Sequence, residues 1–568
     1  MNTLEEIKWH KQSLMRGNRK IERVLLFRIP TINYKEFDIE AQRKSRVCTQ
    51  QPIGIAMLAS YIREELPNIE LKLVDLEYDT VVTMFESLQK ENVLENCTKA
   101  ALAKFNPDLV GISVVFSPSI RNGYNVAQIV KDFNPEILVA FGGVHCTFDY
   151  KNILTQSHAD AVFLKEAEYN FVNYIKCLNE ELEEDSVHGV TFLNQHKEVA
   201  HIPYTSNPNF ETLPMPAWDM VDTQNYYKVA TTTGINLLNF QNIKPYGIIQ
   251  TVRGCIARCT FCSVRNFNGF SVRPRSPEKV LEEIDILYHK YGVRFLEIVD
   301  DDFSYDHDRA IAICQGLIKR KYDLVWCLAN GIRLMTITEE LAENLVASGC
   351  RLIAVGVESG NKDILHKIKK PLTIPGLYKK MEMMKKYHEI YIKGNFIVGF
   401  PFENYDQLED TFRVASEVAF DWKAFSMYSP LVGTEALNYF DGETQDEINY
   451  YENSYQKIES IPNGYKTAED FGNRVFYENL KVNFLENPNY RGRDLPRALN
   501  DYLKIIEFVD QDHAVALYCI SEIYKKLNDN EKHLHYKTQY DQSLSASENW
   551  RYFCERLNLL QPSNEEVG

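Results

Sequence analysis

The sequence predicts an α/β protein in three parts: a doubly wound, Rossmann-like parallel sheet, a second strand–helix array, and a small α-helical C-terminal domain. Short apolar runs ended by Pro, Gly or Asp alternate with helix-length stretches over residues 21–185, and again over 246–435. Beyond 435 the strand-like runs stop and the sequence turns helical and acidic-polar. A length of 568 residues suits about three or four domains.

Residues 1–20 read as a charged helical lead-in. The first array, 21–185, has apolar strand runs at 24–30, 71–75, 109–115, 137–143 and 161–164. Helices are expected over 53–65, over 120–133 and after 164. Strands alternating with helices imply a parallel sheet, whose ligands sit beyond the carboxyl ends of the strands. The candidate loops are therefore 28–52, 75–80, 116–120, 142–148 and 165–168. Residues 186–245 read as a Pro-punctuated connector, with Trp218 as a packing residue.

The second array, 246–435, has strand runs at 246–250, 295–299, 324–328, 352–357, 391–398 and 424–428. Several end in polar or glycine-containing groups: Asp300-Asp301-Asp302, Glu358-Ser359 and Gly399-Phe400-Pro401. Strand alternation keeps three adjacent aspartates from all pointing inward, so Asp300 or Asp302 is the expected inward carboxylate. Cys314, Cys327 and Cys350 sit in apolar surroundings and read as core residues. Residues 436–568 form the helical remainder. Helices over 495–560 faintly resemble one tetratricopeptide unit, either a cap on the core or a dock for a protein substrate. The aromatic stretch 450–455 suits a barrel mouth or helix packing.

Three thiols at Cys255, Cys259 and Cys262 carry the chemistry. No fourth Cys or His lies close by, and structural zinc wants four closed ligands. The set suits a 4Fe–4S cubane held at three irons, with the fourth iron open to a small molecule.

Composition narrows the function. A net charge of −16 disfavours a nucleic-acid surface. No apolar run approaches the ~20 residues of a membrane span, and the polar start lacks a signal-peptide core. Twelve scattered cysteines fit a reducing cytoplasm better than a disulfide framework.

The spacing CxxxCxxC, with Phe261 before the third cysteine, resembles the cluster loop of the radical S-adenosylmethionine (SAM) enzymes. The resemblance implies a partial (β/α)6 radical SAM barrel with its chemistry at the carboxyl-terminal mouth. It implies a cluster on Cys255, Cys259 and Cys262, with SAM on the open iron. It further implies SAM contacts from Phe261, from Asp300 or Asp302 near the ammonium, from Glu358 and Ser359 at the ribose, and from Gly399 and Pro401 at the adenine. Arg333 suits either the SAM carboxylate or a helix-start ion pair. Arg253 and Arg258 are either positive charges beside the cluster or solvated side chains.

Residues 21–185 resemble the cobalamin-binding domain that precedes many radical SAM cores. The matching pieces are Gln51-Pro52-Ile53-Gly54, Val74-Asp75-Leu76, Gly142-Gly143-Val144-His145 and Glu166-Ala167-Glu168. The implied cobalamin contacts are Gln51, Asp75, Ser117, Gly142, Gly143, His145 and Glu166, with His145 alternatively a polar turn residue. Lys165-Glu166-Ala167-Glu168 stands where relatives carry Gly-Glu-Gly-Glu, and the Asp-x-His-x-x-Gly motif of a protein axial histidine is absent.

Together these resemblances imply a cobalamin-dependent radical SAM methyltransferase acting on an unactivated carbon or phosphorus centre. One SAM would yield the radical that activates the substrate, methylcobalamin would deliver the methyl group, and a second SAM would restore it. A small-molecule or peptide substrate and a reducing protein such as flavodoxin or ferredoxin are the implied partners. The altered 165–168 motif supports a second reading, a non-methylating cyclisation, rearrangement or carbon–carbon coupling. A non-catalytic cobalamin or cluster sensor is the reading from another class.

Overall fold

The computed structural model describes residues 3–15, 19–238, 245–439 and 460–560. Its first sheet contains β1 (Arg23–Arg28), β2 (Glu70–Asp75), β3 (Leu109–Ser113), β4 (Leu138–Gly142), β5 (Ala161–Phe163), β6 (Val190–Leu193) and β7 (Val199–Ile202). Their spatial order is β2-β1-β3-β4-β5-β6-β7. The first five strands are parallel, as their alternation with helices predicts. Leu25, Leu26 and Phe27 of β1 are buried because helices cover both faces of the sheet. One face packs in a core with helices Ile53–Glu65 and Glu168–Leu178, the other with Ile120–Phe133 and Val144–Gln156.

The connector expected over 186–245 is shorter than its sequence suggests. β6 and β7 form an antiparallel hairpin that continues the first sheet beyond residue 185. Two four-residue strands are too short to stand out beside the Pro-rich segment that follows. Trp218 is buried as expected, and its indole Nε1 also donates to Glu283 Oε1 at 2.8 Å.

The second sheet is β8 (Tyr246–Ile249), β9 (Phe295–Ile298), β10 (Val325–Ile332), β11 (Cys350–Glu358), β12 (Tyr391–Val398) and β13 (Trp422–Met427). All six are parallel and adjacent in chain order, the open barrel that the sequence predicts. Along β12 the burial is inverted relative to an ordinary filled barrel. Ile392, Gly394, Phe396 and Val398 are buried beneath the outer layer, whereas Lys393, Asn395 and Ile397 are only half-buried. Helix Thr233–Leu238 closes one end, with Ile235 in one apolar cluster with Tyr246, Phe295, Cys327, Leu352 and Tyr391. Cys314, Cys327 and Cys350 are buried core residues.

The C-terminal part is helical, with helices Ala468–Leu480, Leu495–Phe508, Ala514–Lys526, Asn530–Ala546 and Glu548–Arg556. It covers the open edge of β13. The Asn483 side chain accepts from Lys423 N–H at 2.8 Å and donates to the Lys423 carbonyl at 2.7 Å, an extra rung on an edge strand. The aromatic stretch 450–455 lies outside the described residues. Among the described residues no helix is long and apolar enough to cross a membrane.

Candidate active site at the barrel mouth

The cluster loop leaves β8 and is braced from beneath by two of the three aspartates that follow β9. Asp300 accepts from the Thr251 N–H and hydroxyl, and from Val252 N–H at 2.9 Å. Asp301 accepts from Gly254 N–H and from Asn268 Nδ2, each at 2.7 Å. Gly254 is required here. Its φ is +93°, and a Cβ would collide with the Ser271 carbonyl. Burial pushes both aspartates up to about 6. Asp300, an expected SAM contact, is thus committed to backbone.

Asp302 turns the other way. Its Oδ2 accepts from the Cys255 thiol at 3.8 Å and lies 2.8 Å from Arg333 Nε. Its Oδ1 is buried without a hydrogen-bond partner. Alternation narrowed the choice to Asp300 or Asp302, and the structure places only Asp302 beside a cluster cysteine. Arg333 is an ion-pair partner of that aspartate.

The three thiols feel one another and the strand ends around them. Cys255 lies in the field of Asp302 and Arg333, Cys259 of Lys370 and Glu358, and Cys262 of Asp301 and Lys370. Burial pushes Cys255 and Cys262 up to about 11 and raises Cys259, so ionising them depends on bound iron. No three His, Cys, Asp or Glu side chains among the described residues converge on a single ion. A cubane does not need such convergence, because each thiolate takes a different iron. The orphaned Asp302 acceptor beside Cys255 fits a cationic group at the open iron.

Glu358 ends β11 with φ +67°, a conformation that costs a side-chain-bearing residue energy and persists where surroundings impose it. Its Oε1 accepts from Lys370 Nζ at 2.8 Å. Burial disfavours the Lys370 ammonium, but Glu358 and the Cys259 thiol outweigh burial and raise its pKa. Lys370 therefore sets a positive charge between two cluster cysteines and Glu358. Sequence reasoning missed it because it lies in a loop with no motif. Ser359 is buried and pairs with the Thr411 hydroxyl at 3.1 Å, so it holds the strand end to the outer layer. Phe261 lies 6.5 Å from the Phe400 ring. Gly399 donates to Glu403 Oε2 at 2.7 Å, and a Cβ on it would press on Phe471, so its bareness serves packing. Pro401 follows in a half-buried turn.

The expected cobalamin contacts are largely engaged by protein. Gln51 donates to the Tyr246 carbonyl and accepts from Ile248 N–H, both at 3.2 Å, which ties it to β8. Asp75 caps helix Leu76–Ser87 and pairs with Arg28 at 3.0 Å. Ser117 Oγ lies 3.0 Å from His145 Nδ1, and His145 Nε2 lies 3.3 Å from Asp149, so this buried histidine ties the start of helix Val144–Gln156 to the turn at 117–119. Gly142 ends β4, and Gly143 follows with its Cα against the Val114 carbonyl. Glu166 is clamped: Arg253 Nη1 donates to it at 2.6 Å and to Glu168 at 2.8 Å, and Arg273 donates from the other side. Arg253 therefore faces the first domain, and Arg258 is exposed. At the same ligand end of the sheet, Val115 and Phe116 are 47% and 54% exposed. This apolar shelf beyond β3 fits the flat face of a macrocycle.

Comparison with known proteins agrees with this geometry. Residues 249–415 match the radical SAM superfamily and residues 45–175 match the B12 binding domain. An uncharacterised methyltransferase of Pyrococcus horikoshii is 29% identical over 392 residues, covering 69% of this chain and 78% of that protein. The cytidylyl-2-hydroxyethylphosphonate methyltransferase of Streptomyces wedmorensis is 26% identical over 460 residues, covering 73% and 83%. The fold matches that of OxsB, a cobalamin-dependent SAM radical enzyme solved with aqua-cobalamin and SAM bound, with a TM-score of 0.62. That alignment covers 96% of this chain and 82% of OxsB at 16% identity. The chain thus carries a radical SAM domain and, ahead of it, a B12-binding domain, which together imply a 4Fe–4S cluster, SAM and cobalamin as cofactors.

Proposed function

We propose that this protein is a cobalamin-dependent radical SAM methyltransferase acting on an unactivated carbon or phosphorus centre of a small-molecule or peptide substrate. The junction of the two domains carries the reading. Arg253, two residues before the first cluster cysteine, is held by Glu166 and Glu168 at the ligand end of the B12-binding domain. The clamp uses Glu166 and Glu168, the two positions of the 165–168 motif that agree with the relatives, so the departures at Lys165 and Ala167 leave it intact. The names of the two relatives support methyl transfer.

When bound, the cluster with SAM supplies abstraction of hydrogen from an unreactive bond, and cobalamin supplies the methyl group. Cys255, Cys259 and Cys262 hold three irons. Asp302 Oδ1 accepts from the SAM ammonium, and Arg333 offers its Nη donors to the carboxylate. Glu358 accepts from the ribose, while Phe261 and the Gly399–Pro401 turn flank the adenine. Val115 and Phe116 take the apolar face of the corrin. An external one-electron donor of the flavodoxin or ferredoxin kind completes the system, in a reducing cytoplasm.

Anaerobic purification with iron and cobalamin supplied, then metal analysis and incubation with methyl-labelled SAM, tests this. One cobalt beside about four irons per chain, with label reaching a non-protein acceptor, is expected. SAM cleavage with no methyl transfer to any acceptor would move the assignment to non-methylating radical chemistry.

A further inference from the structure

The inward wall of the barrel can be read from its register. Ala354, Lys393 and Trp422 lie side by side on β11, β12 and β13, and Gly356, Asn395 and Ala424 form the next inward-facing row. Register partners in a parallel sheet share a face, and alternate residues along a strand return to it. Tyr391, two residues before Lys393, packs with Phe295, Cys327 and Leu352 against helix Thr233–Leu238, which identifies that face as the inward one. Ala354 and Ala424 on the flanking strands are small, whereas Trp422 flanks Lys393 and the Glu358–Lys370 pair covers Gly356 beside Asn395. The half exposure of Lys393, Asn395 and Ile397, beside buried Ile392, Gly394 and Phe396, shows that this lumen is accessible.

Lys393 is a cation with no direct ion pair among the described residues. The charged groups it feels are the Cys48 thiol and Glu297, yet it makes no ion pair or hydrogen bond among the described residues. Glu297 spends its acceptors elsewhere, on Gln50 Nε2 at 3.5 Å and the Cys327 thiol at 3.8 Å. Burial lowers the Lys393 pKa, and the fields of Cys48 and Glu297 offset only part of that cost. The Asn395 amide, one inward position nearer the mouth, likewise has no partner among the described residues. A desolvated ammonium left unpaired costs free energy that an arriving anion offsets. In a chain of net charge −16, an anionic ligand also needs a local positive anchor of this kind.

We propose that Lys393 and Asn395 bind an oxyanion group of the substrate, so that the substrate is an organic carboxylate, phosphate or phosphonate whose reacting centre points toward the cluster loop. This rests on the reading that the barrel houses radical chemistry, and it narrows the substrate class. A neutral substrate would leave the ammonium without a directly paired counter-charge.

The test is calorimetric titration of the reconstituted full-length protein with acetate, inorganic phosphate and methylphosphonate. The wild type should bind at least one of these, and the one preferred separates a carboxylate from a phosphorus oxyanion. Lys393→Met should weaken that binding about tenfold or more, and Lys393→Arg should largely restore it. Circular dichroism should show both variants folded. Equal binding by wild type and Lys393→Met, or no binding of any of the three anions by the wild type, overturns the proposal. Reductive SAM cleavage by the wild type is measured alongside. Its absence would remove the radical reading, while the titration still decides the role of Lys393.

Discussion

Arg253 and Glu166 are separated by 87 residues in the chain and by 2.6 Å in space. The pair is buried, and Glu168 and Arg273 complete it as a four-residue network between the two domains. Buried ion pairs cost desolvation, so their net worth is small while intact and large when one partner is removed. Glu166→Ala should therefore destabilise by about 3–5 kcal/mol, because it leaves two arginines without their shared carboxylate. Thermal unfolding together with iron content reads this. An unchanged midpoint and full iron loading would show that the clamp neither stabilises the fold nor holds the cluster loop.

The same clamp has a pH signature. Burial opposes the Glu166 carboxylate, but Arg253 and Arg273 outweigh burial and hold its pKa below the ordinary 4.5. The folded state then binds fewer protons at this site than the unfolded state. Its contribution is complete above about pH 4.5 and falls away as the pH drops through the depressed value. Denaturant unfolding at pH 7, 5 and 3.5 should show wild type and Glu166→Gln converging as the pH falls.

Asp300 and Asp302 should respond differently to conversion to asparagine. Asp300→Asn weakens charged hydrogen bonds to Thr251 and Val252 and should cost about 1.5–3 kcal/mol of stability. Asp302→Asn leaves Arg333 without its buried carboxylate, so it too should lower the unfolding midpoint, and of the two variants it alone should weaken SAM binding to the reconstituted protein. Calorimetric unfolding paired with SAM titration separates the two. A stability loss at Asp302 with no change in SAM affinity would assign that residue to the scaffold.

Lys370 lies between Glu358 and two cluster cysteines. Lys370→Met removes positive charge beside an anionic cluster and should move its reduction potential to a more negative value. Potentiometric titration followed by electron paramagnetic resonance measures it. A potential that does not move would mean the lysine serves only to hold Glu358.

At the other end of the molecule, Asn483→Ala removes both hydrogen bonds to Lys423 and leaves a buried edge of β13 unsatisfied. Loss of about 1–3 kcal/mol is expected. Limited proteolysis should then release the C-terminal helices faster than from the wild type.

The parts of this architecture readable from sequence are those written in local spacing. The thiols within eight residues declare a cluster, and the apolar runs of β1, β3, β4 and β12 declare parallel strands. Sequence alternation alone does not separate Asp300 from Asp302. The strand pattern ends at Ile298, so period-two alternation no longer governs which way the following side chains turn. Gln51, Asp75, His145 and Glu166 are expected at a ligand because they lie in the pieces that resemble a cobalamin-binding domain. Their partners, Tyr246, Arg28, Ser117 and Arg253, come from elsewhere in the chain, and no local pattern announces them. Lys370 and the β6–β7 hairpin escaped notice for related reasons, the one lacking a motif and the other lacking length.

The inverted burial along β12 separates two duties that most strands combine. The side chains that hold the barrel together lie on its outer face, whereas positions 393, 395 and 397 on the inner face bear little of that burden. Exchanges at these three positions can therefore redirect ligand choice with little penalty in foldability. A lineage built on this plan can diversify its chemistry by altering a few inner-wall residues while the cluster loop, the interdomain clamp and the outer layer stay as they are.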